Sequence, residues 1–359
     1  MHGGNIYTLL KKGFRYEDII DFSASINPLG MPQGVKDAIR EGMRSFIHYP
    51  DPEQMELRNT ISLYHDISPE TVVAGNGSTE LIYLIVRALR PRRVLLPAPT
   101  FSEYERASRC SGSDIVIYEL KEENNFDLEP EHFISFLINL NMLKPIDMVF
   151  LCNPNNPTGR LVIKEGILRI AQTLKERGIY LVVDEAFIDF TPEQSVIRHV
   201  SGNPYLIVLR SMTKFYGLAG LRLGYGVFHP QLIEKILPYK EPWTVNTPAQ
   251  IAGTAALLDN GFRKETLKAI DGWKKVLEEY FQRHGIYFIP SSVNFYLFKF
   301  KKVLGPFLEG HGMLIRDCSD FIGLNGAGGN DDIAWFRIAV RSPKEMERFF
   351  EVLSVFTSP

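Results

Sequence analysis

Cysteine is scarce in this sequence. Cys110, Cys152 and Cys318 are the only three in 359 residues. Their odd number and wide spacing exclude a disulfide framework and a zinc ligand set, and they suit a reducing cytoplasm. No apolar run approaches the ~18 residues that a membrane span needs, so no membrane partner is expected. Met1-His2-Gly3-Gly4-Asn5 opens the chain without a basic stretch leading into an apolar one, and no signal peptide is expected. Charge of one sign is missing too. Forty Lys and Arg stand against 42 Asp and Glu, a net of −2. That balance argues against a nucleic-acid partner, whose affinity rests on a basic face. The histidines have no metal-like spacing, and no metal is implied. What is present is ordinary for an enzyme: 45% hydrophobic and 23% charged residues. The length fits two or three domains or one large α/β unit, burying roughly three quarters of its unfolded surface.

Strand-like runs recur between residues 71 and 209. They are 71–74, 93–96, 114–118, 148–151, 180–183 and 206–209. Several are apolar throughout, as in strands covered on both faces. Helical patterns separate many of them, among them 78–90 and 164–177. This alternation predicts an α/β fold with a mostly parallel sheet, whose ligands gather at the carboxyl ends of the strands. The tail differs. Helical stretches at 249–258 and 263–284 lead into apolar runs at 293–300, 313–316 and 335–340 and a last helix near 344–355. We expect a large domain at 46–261 and a smaller α+β domain made of 1–45 and 262–359, with the Gly-rich stretch 323–332 as an exposed loop.

Four segments carry chemistry, each at or just after the end of a strand. In Ser211-Met212-Thr213-Lys214 a lysine stands among small and polar residues behind a buried strand. Desolvation lowers a lysine pKa, and the neutral amine forms a Schiff base with an aldehyde. Arg222 follows, able to grip a phosphate with a bidentate fork. Taken alone, the pair reads equally as a loop lysine and a salt-bridged arginine. Val182-Val183-Asp184 puts an acid at the end of an apolar strand, where burial calls for a cationic partner such as a protonated pyridine nitrogen. Asn153-Pro154-Asn155-Asn156-Pro157 is a rigid turn able to offer an amide donor. Gly75-Asn76-Gly77-Ser78-Thr79 opens a helix whose free amides suit a phosphate. It lacks the third glycine of a dinucleotide fingerprint and the Gly-Lys-Ser/Thr of a P-loop.

Together, these motifs resemble the fold-type I pyridoxal-phosphate enzymes of the aminotransferase superfamily over nearly the whole chain. The resemblance implies a large domain with a mostly parallel central sheet, a small α+β domain and pyridoxal 5′-phosphate as cofactor. It implies Lys214 as the lysine that takes the cofactor aldehyde and Asp184 as the partner of the pyridine nitrogen. Asn156 would serve the ring oxygen, and Phe101 the ring face. Gly77, Ser78, Thr79, Ser211 and Arg222 would hold the phosphate. Tyr49 would reach the phosphate of a neighbouring subunit's cofactor, which implies a homodimer.

Two branches of the superfamily are similar to this chain: threonine-phosphate decarboxylases of cobalamin biosynthesis and histidinol-phosphate aminotransferases. His2-Gly3-Gly4-Asn5, the stretch Asp21–Gly30 and Glu241-Pro242-Trp243-Thr244-Val245-Asn246 resemble the decarboxylases. So does Phe187, where many of the aminotransferases carry a tyrosine. That branch implies a small phosphorylated amino acid as substrate, bound by His2, Asn27, Arg316 and Arg337. It also implies a cytoplasmic enzyme.

Overall fold

A computed structural model describes residues 3–325 and 332–357. The strands are β1 (Ile20–Asp21), β2 (Val72–Asn76), β3 (Arg93–Ala98), β4 (Asp114–Glu119), β5 (Met148–Cys152) and β6 (Tyr180–Asp184). They continue with β7 (Leu206–Ser211), β8 (Leu223–Val227), β9 (Phe295–Lys301), β10 (Met313–Leu314), β11 (Arg316–Asp317) and β12 (Ile333–Ala339). Seven of them form the main sheet in the order β2-β8-β7-β6-β5-β3-β4. All neighbours are parallel except around β8, which runs antiparallel to both β2 and β7. The molecule is thus α/β with a mostly parallel central sheet.

The unbroken apolar runs have a direct cause. Side chains alternate between the faces of a strand, and here both faces are covered. Ala74, Leu95, Val149, Val183 and Val208 enter one apolar cluster. Val73, Val94, Phe150, Val182 and Ile207 enter another on the opposite side. The six strands expected between residues 71 and 209 are present, with ends shifted by a few residues. β8 was not expected. Two glycines in Leu223-Gly224-Tyr225-Gly226-Val227 weaken its strand pattern, but packing requires one of them. A Cβ on Gly224 would lie 2.3 Å from the Ser78 amide nitrogen, where β8 passes under the start of helix Gly77–Leu89. Gly224→Ala should therefore destabilise the fold by about 1–3 kcal/mol through overpacking, read as a lowered urea midpoint.

The tail forms a three-stranded antiparallel sheet, β11-β12-β9, with β1 and β10 paired in parallel beside it. Ile20 and Phe22 share an apolar cluster with Ile270, Phe281, Phe298 and Phe349. The expected partition at residue 45 meets a different packing. Helix Gln33–Gly42 lies so close to helix Thr247–Leu258 that a Cβ on Gly42 would meet Ile251 Cδ1 at 2.4 Å. Val35 belongs to the cluster on the main sheet. Of the Gly-rich stretch, residues 326–331 lie outside the described residues. Among the described residues, no helix is long and apolar enough to cross a membrane.

Candidate active site

The sheet delivers its functional groups to one edge. β2, β3, β5, β6 and β7 end there, leading into Gly77, Phe101, Asn156, Asp184 and Lys214. Because β8 is reversed, it begins at that same edge, directly after Arg222. The side chains of Phe101, Asn156, Asp184, Lys214 and Arg222 line a cavity of about 560 Å³, roofed by Arg316, Phe321 and Arg337 from the tail and by Gly3, Gly4 and residues 23–26.

Lys214 sits on the cavity wall, its Nζ donating to Ser211 Oγ at 3.3 Å and lying 5.6 Å from the centre of the Phe187 ring. Burial brings its pKa down to about 8; Asp184 opposes that fall, while Arg222 and Arg337 add to it. About a tenth of the amine is therefore neutral and nucleophilic at pH 7, far more than for an ordinary lysine. Asp184 is 2% exposed. Burial raises its carboxyl pKa, opposed by the Tyr104 hydroxyl and by Lys214. Its two hydrogen-bond donors are neutral: Tyr104 O–H to Oδ2 at 2.7 Å and Ala186 N–H to Oδ1 at 3.1 Å.

Beside them lies a cradle for an anion. The helix that starts at Gly77 presents its first-turn amides and the hydroxyls of Ser78 and Thr79. Gly77 has φ +72°, and a Cβ there would meet Arg222 Nη2 at 2.7 Å. Glycine thus serves both the turn and the guanidinium's approach. The Gly77 amide in turn donates to the Arg222 carbonyl at 2.8 Å. Ser211 Oγ is bonded to Thr213 Oγ1 at 2.7 Å.

On the tail side, Arg316 and Arg337 are register partners on adjacent strands. Arg337 donates to Asn156 Oδ1 and, at 2.8 Å, to the Ser23 carbonyl. Its Nε is buried without a hydrogen-bond partner among the described residues. Burial lowers the Arg337 pKa to about 10. Arg316 forks onto Asp320 at 2.8 and 2.9 Å.

Phe101, Asn156, Asp184, Lys214, Arg222, Arg316 and Arg337 thus meet in one cavity, with Ser78 and Thr79. Asn27 does not join them. Its Nδ2 donates to the Phe215 carbonyl and to Thr266 Oγ1, both at 2.8 Å, and its Oδ1 accepts from Leu29 N–H. The amide is consumed inside the protein, so substrate contact by Asn27 is replaced by a supporting role: its own N–H donates to the Lys214 carbonyl. Tyr49 lies outside this chain's cavity, 82% exposed and against Trp243 with ring centres 5.1 Å apart. His2 is outside the described residues. Sequence reasoning missed Tyr104 and the buried Arg210, which holds Glu185 at 3.2 Å and Asp189 at 2.5 Å. That charge cluster lies on the other side of the strands from Asp184 and Ser211, and it joins the ends of β6 and β7.

A lysine with a lowered pKa, a buried carboxylate with only neutral donors and an anion cradle between them define a site for an aromatic aldehyde phosphate. The description "Aminotransferase class I and II" matches residues 17–353. The chain belongs to this family, which works with pyridoxal 5′-phosphate. It is 35% identical to threonine-phosphate decarboxylase of Salmonella typhimurium, covering 98% of this chain and 95% of that protein. It is 33% identical to histidinol-phosphate aminotransferase of a Thermoanaerobacter species, covering 88% and 87%. Among solved structures, L-threonine-O-3-phosphate decarboxylase of Porphyromonas gingivalis superposes with a TM-score of 0.79 at 26% identity, covering 94% of this chain and 99% of that one.

Proposed function

We propose that this enzyme decarboxylates L-threonine O-3-phosphate to (R)-1-amino-2-propanol O-2-phosphate, a step of cobalamin biosynthesis, as a cytoplasmic homodimer. The observation that carries this reading is the arginine pair. Arg316 and Arg337 face the same cavity as Lys214, and Arg337 has an unused buried Nε. Such a pair suits a phosphate dianion on a small substrate. Similarity to a threonine-phosphate decarboxylase over nearly the full chain supports it, as does Phe187, which brings no hydroxyl to the cavity.

Ser78, Thr79, Ser211 and Arg222 would hold the cofactor phosphate, Asp184 the ring nitrogen, Asn156 the ring oxygen, and Phe101 the ring face, while Gly77, whose amide is taken by the Arg222 carbonyl, would shape the turn. When bound, the cofactor withdraws the electrons of a breaking Cα bond into its ring. Lys214 would hold the cofactor, and its amine stands where it would supply the proton that replaces the departing CO₂ at Cα. The arginines fix the substrate phosphate, which decides the bond presented for cleavage. Tyr49 and its neighbours, exposed in the single chain, complete the site of the second subunit.

The discriminating experiment offers the loaded enzyme each substrate. CO₂ and an aminopropanol phosphate from threonine phosphate, with no glutamate from histidinol phosphate and 2-oxoglutarate, is the expected result. The similarity to histidinol-phosphate aminotransferases favours the reverse pattern as the second reading. Glutamate formation with threonine phosphate untouched would establish it.

A further inference from the structure

We propose that Tyr104 is a positioning residue for Asp184, its hydroxyl holding the carboxylate in the orientation and charge state that the cofactor ring requires. This rests on the reading of Asp184 as the partner of the ring nitrogen.

Tyr104 is fully buried, and its hydroxyl donates to Asp184 Oδ2 at 2.7 Å. The ring is fixed from two sides. It stacks on Phe150 with centres 5.0 Å apart and planes 8° apart, and it meets Phe101 edge-on at 5.5 Å and 82°. Phe150 stands on β5 opposite Val182 of β6, the strand that ends in Asp184. One side chain thus braces both Asp184 and Phe101, the two groups assigned to the ring nitrogen and the ring face. The Ala186 N–H holds the other carboxylate oxygen, so the plane of the carboxylate is set at both atoms.

The charges around Asp184 make the effect measurable. Tyr104 stays protonated, because burial pushes its phenol well above the usual value. Cys152, on β5, stays a thiol, because burial pushes it up to about 12. Lys214 titrates near 8. Glu103, Arg106, Arg222, Arg316 and Arg337 also line the cavity, but it is Asp184 that accepts from the Tyr104 hydroxyl, so a change specific to Tyr104→Phe reports that carboxylate. A donor to the ionised form favours ionisation. Removing the hydroxyl raises the carboxyl pKa, and the loss of cofactor affinity on acidification begins at higher pH.

The test compares Tyr104→Phe with the parent by titrating the apoproteins with pyridoxal 5′-phosphate from pH 5 to 8. The cofactor's own phosphate titrates identically in both. The acid limb of affinity should move up by about one pH unit, giving about tenfold weaker binding below it. The apoprotein melting curve separates this from general damage. A 3-fluorotyrosine placed at position 104 is a stronger donor and should move the limb down, an arm that keeps every packing contact. Superimposable limbs for parent and both variants would overturn the inference. Asp184→Asn distinguishes the cause of a failure: if it abolishes the limb while Tyr104→Phe leaves it unmoved, only the role of Tyr104 falls. If Asp184→Asn also binds like the parent, the reading of Asp184 falls with it.

Discussion

Lys214→Ala protein should fold, gain no visible absorbance beyond that of the free cofactor, and turn over at least about 10³-fold more slowly than the parent. The size of the effect follows from the two tasks joined in one amine. Its pKa near 8 leaves it reactive toward an aldehyde, and its place between Ser211 and Phe187 keeps it within the cavity to move a proton afterwards. Alanine removes both tasks and disturbs little packing, because the residue is only partly buried. Visible absorbance and single-turnover rates measure the two losses separately. Parent-like turnover would refute the assignment of Lys214.

Arg337→Ala is the second large effect. Its guanidinium is desolvated enough to lower its pKa to about 10, and it already positions Asn156 and the residue 23 carbonyl. A charge-assisted contact in such a water-poor site should be worth about 10²–10³-fold in kcat/KM for threonine phosphate, about 3–4 kcal/mol. Threonine without the phosphate should be a very poor substrate for the parent, because the anchoring group is missing, and Arg337→Ala should change that residual rate far less. An equal loss on both substrates would mean that Arg337 only supports Asn156.

The strands of the parallel sheet were legible because each is buried on both faces, which leaves a continuous apolar signature. Lys214, Asp184 and Asn156 were legible because each follows such a strand. β8 was obscured by the glycines that let it pass beneath Ser78. Asn27 illustrates a different limit: a motif identifies the residue, but the direction of its amide depends on Phe215 and Thr266, distant in sequence. Tyr104 carries no signal at all, since a tyrosine among charged residues, in Glu103-Tyr104-Glu105-Arg106, reads as an ordinary helix position until its hydroxyl is seen to meet Asp184. Helix Gln33–Gly42 followed its contact with Thr247–Leu258 rather than its place in the chain.

The parallel pairing of β1 with β10 bears on how the protein is made. Residues 20–21 leave the ribosome long before residues 313–314, yet each strand has the other as its partner. The segment that continues from β1 supplies residues 23–26 of the cavity wall and the Asn27 N–H that supports the Lys214 carbonyl. A nascent chain can close the main sheet and expose Lys214 while that wall still waits for the tail. The groups assigned to the cofactor all precede residue 228, so it is the substrate side of the cavity, with Arg316 and Arg337, that is completed last.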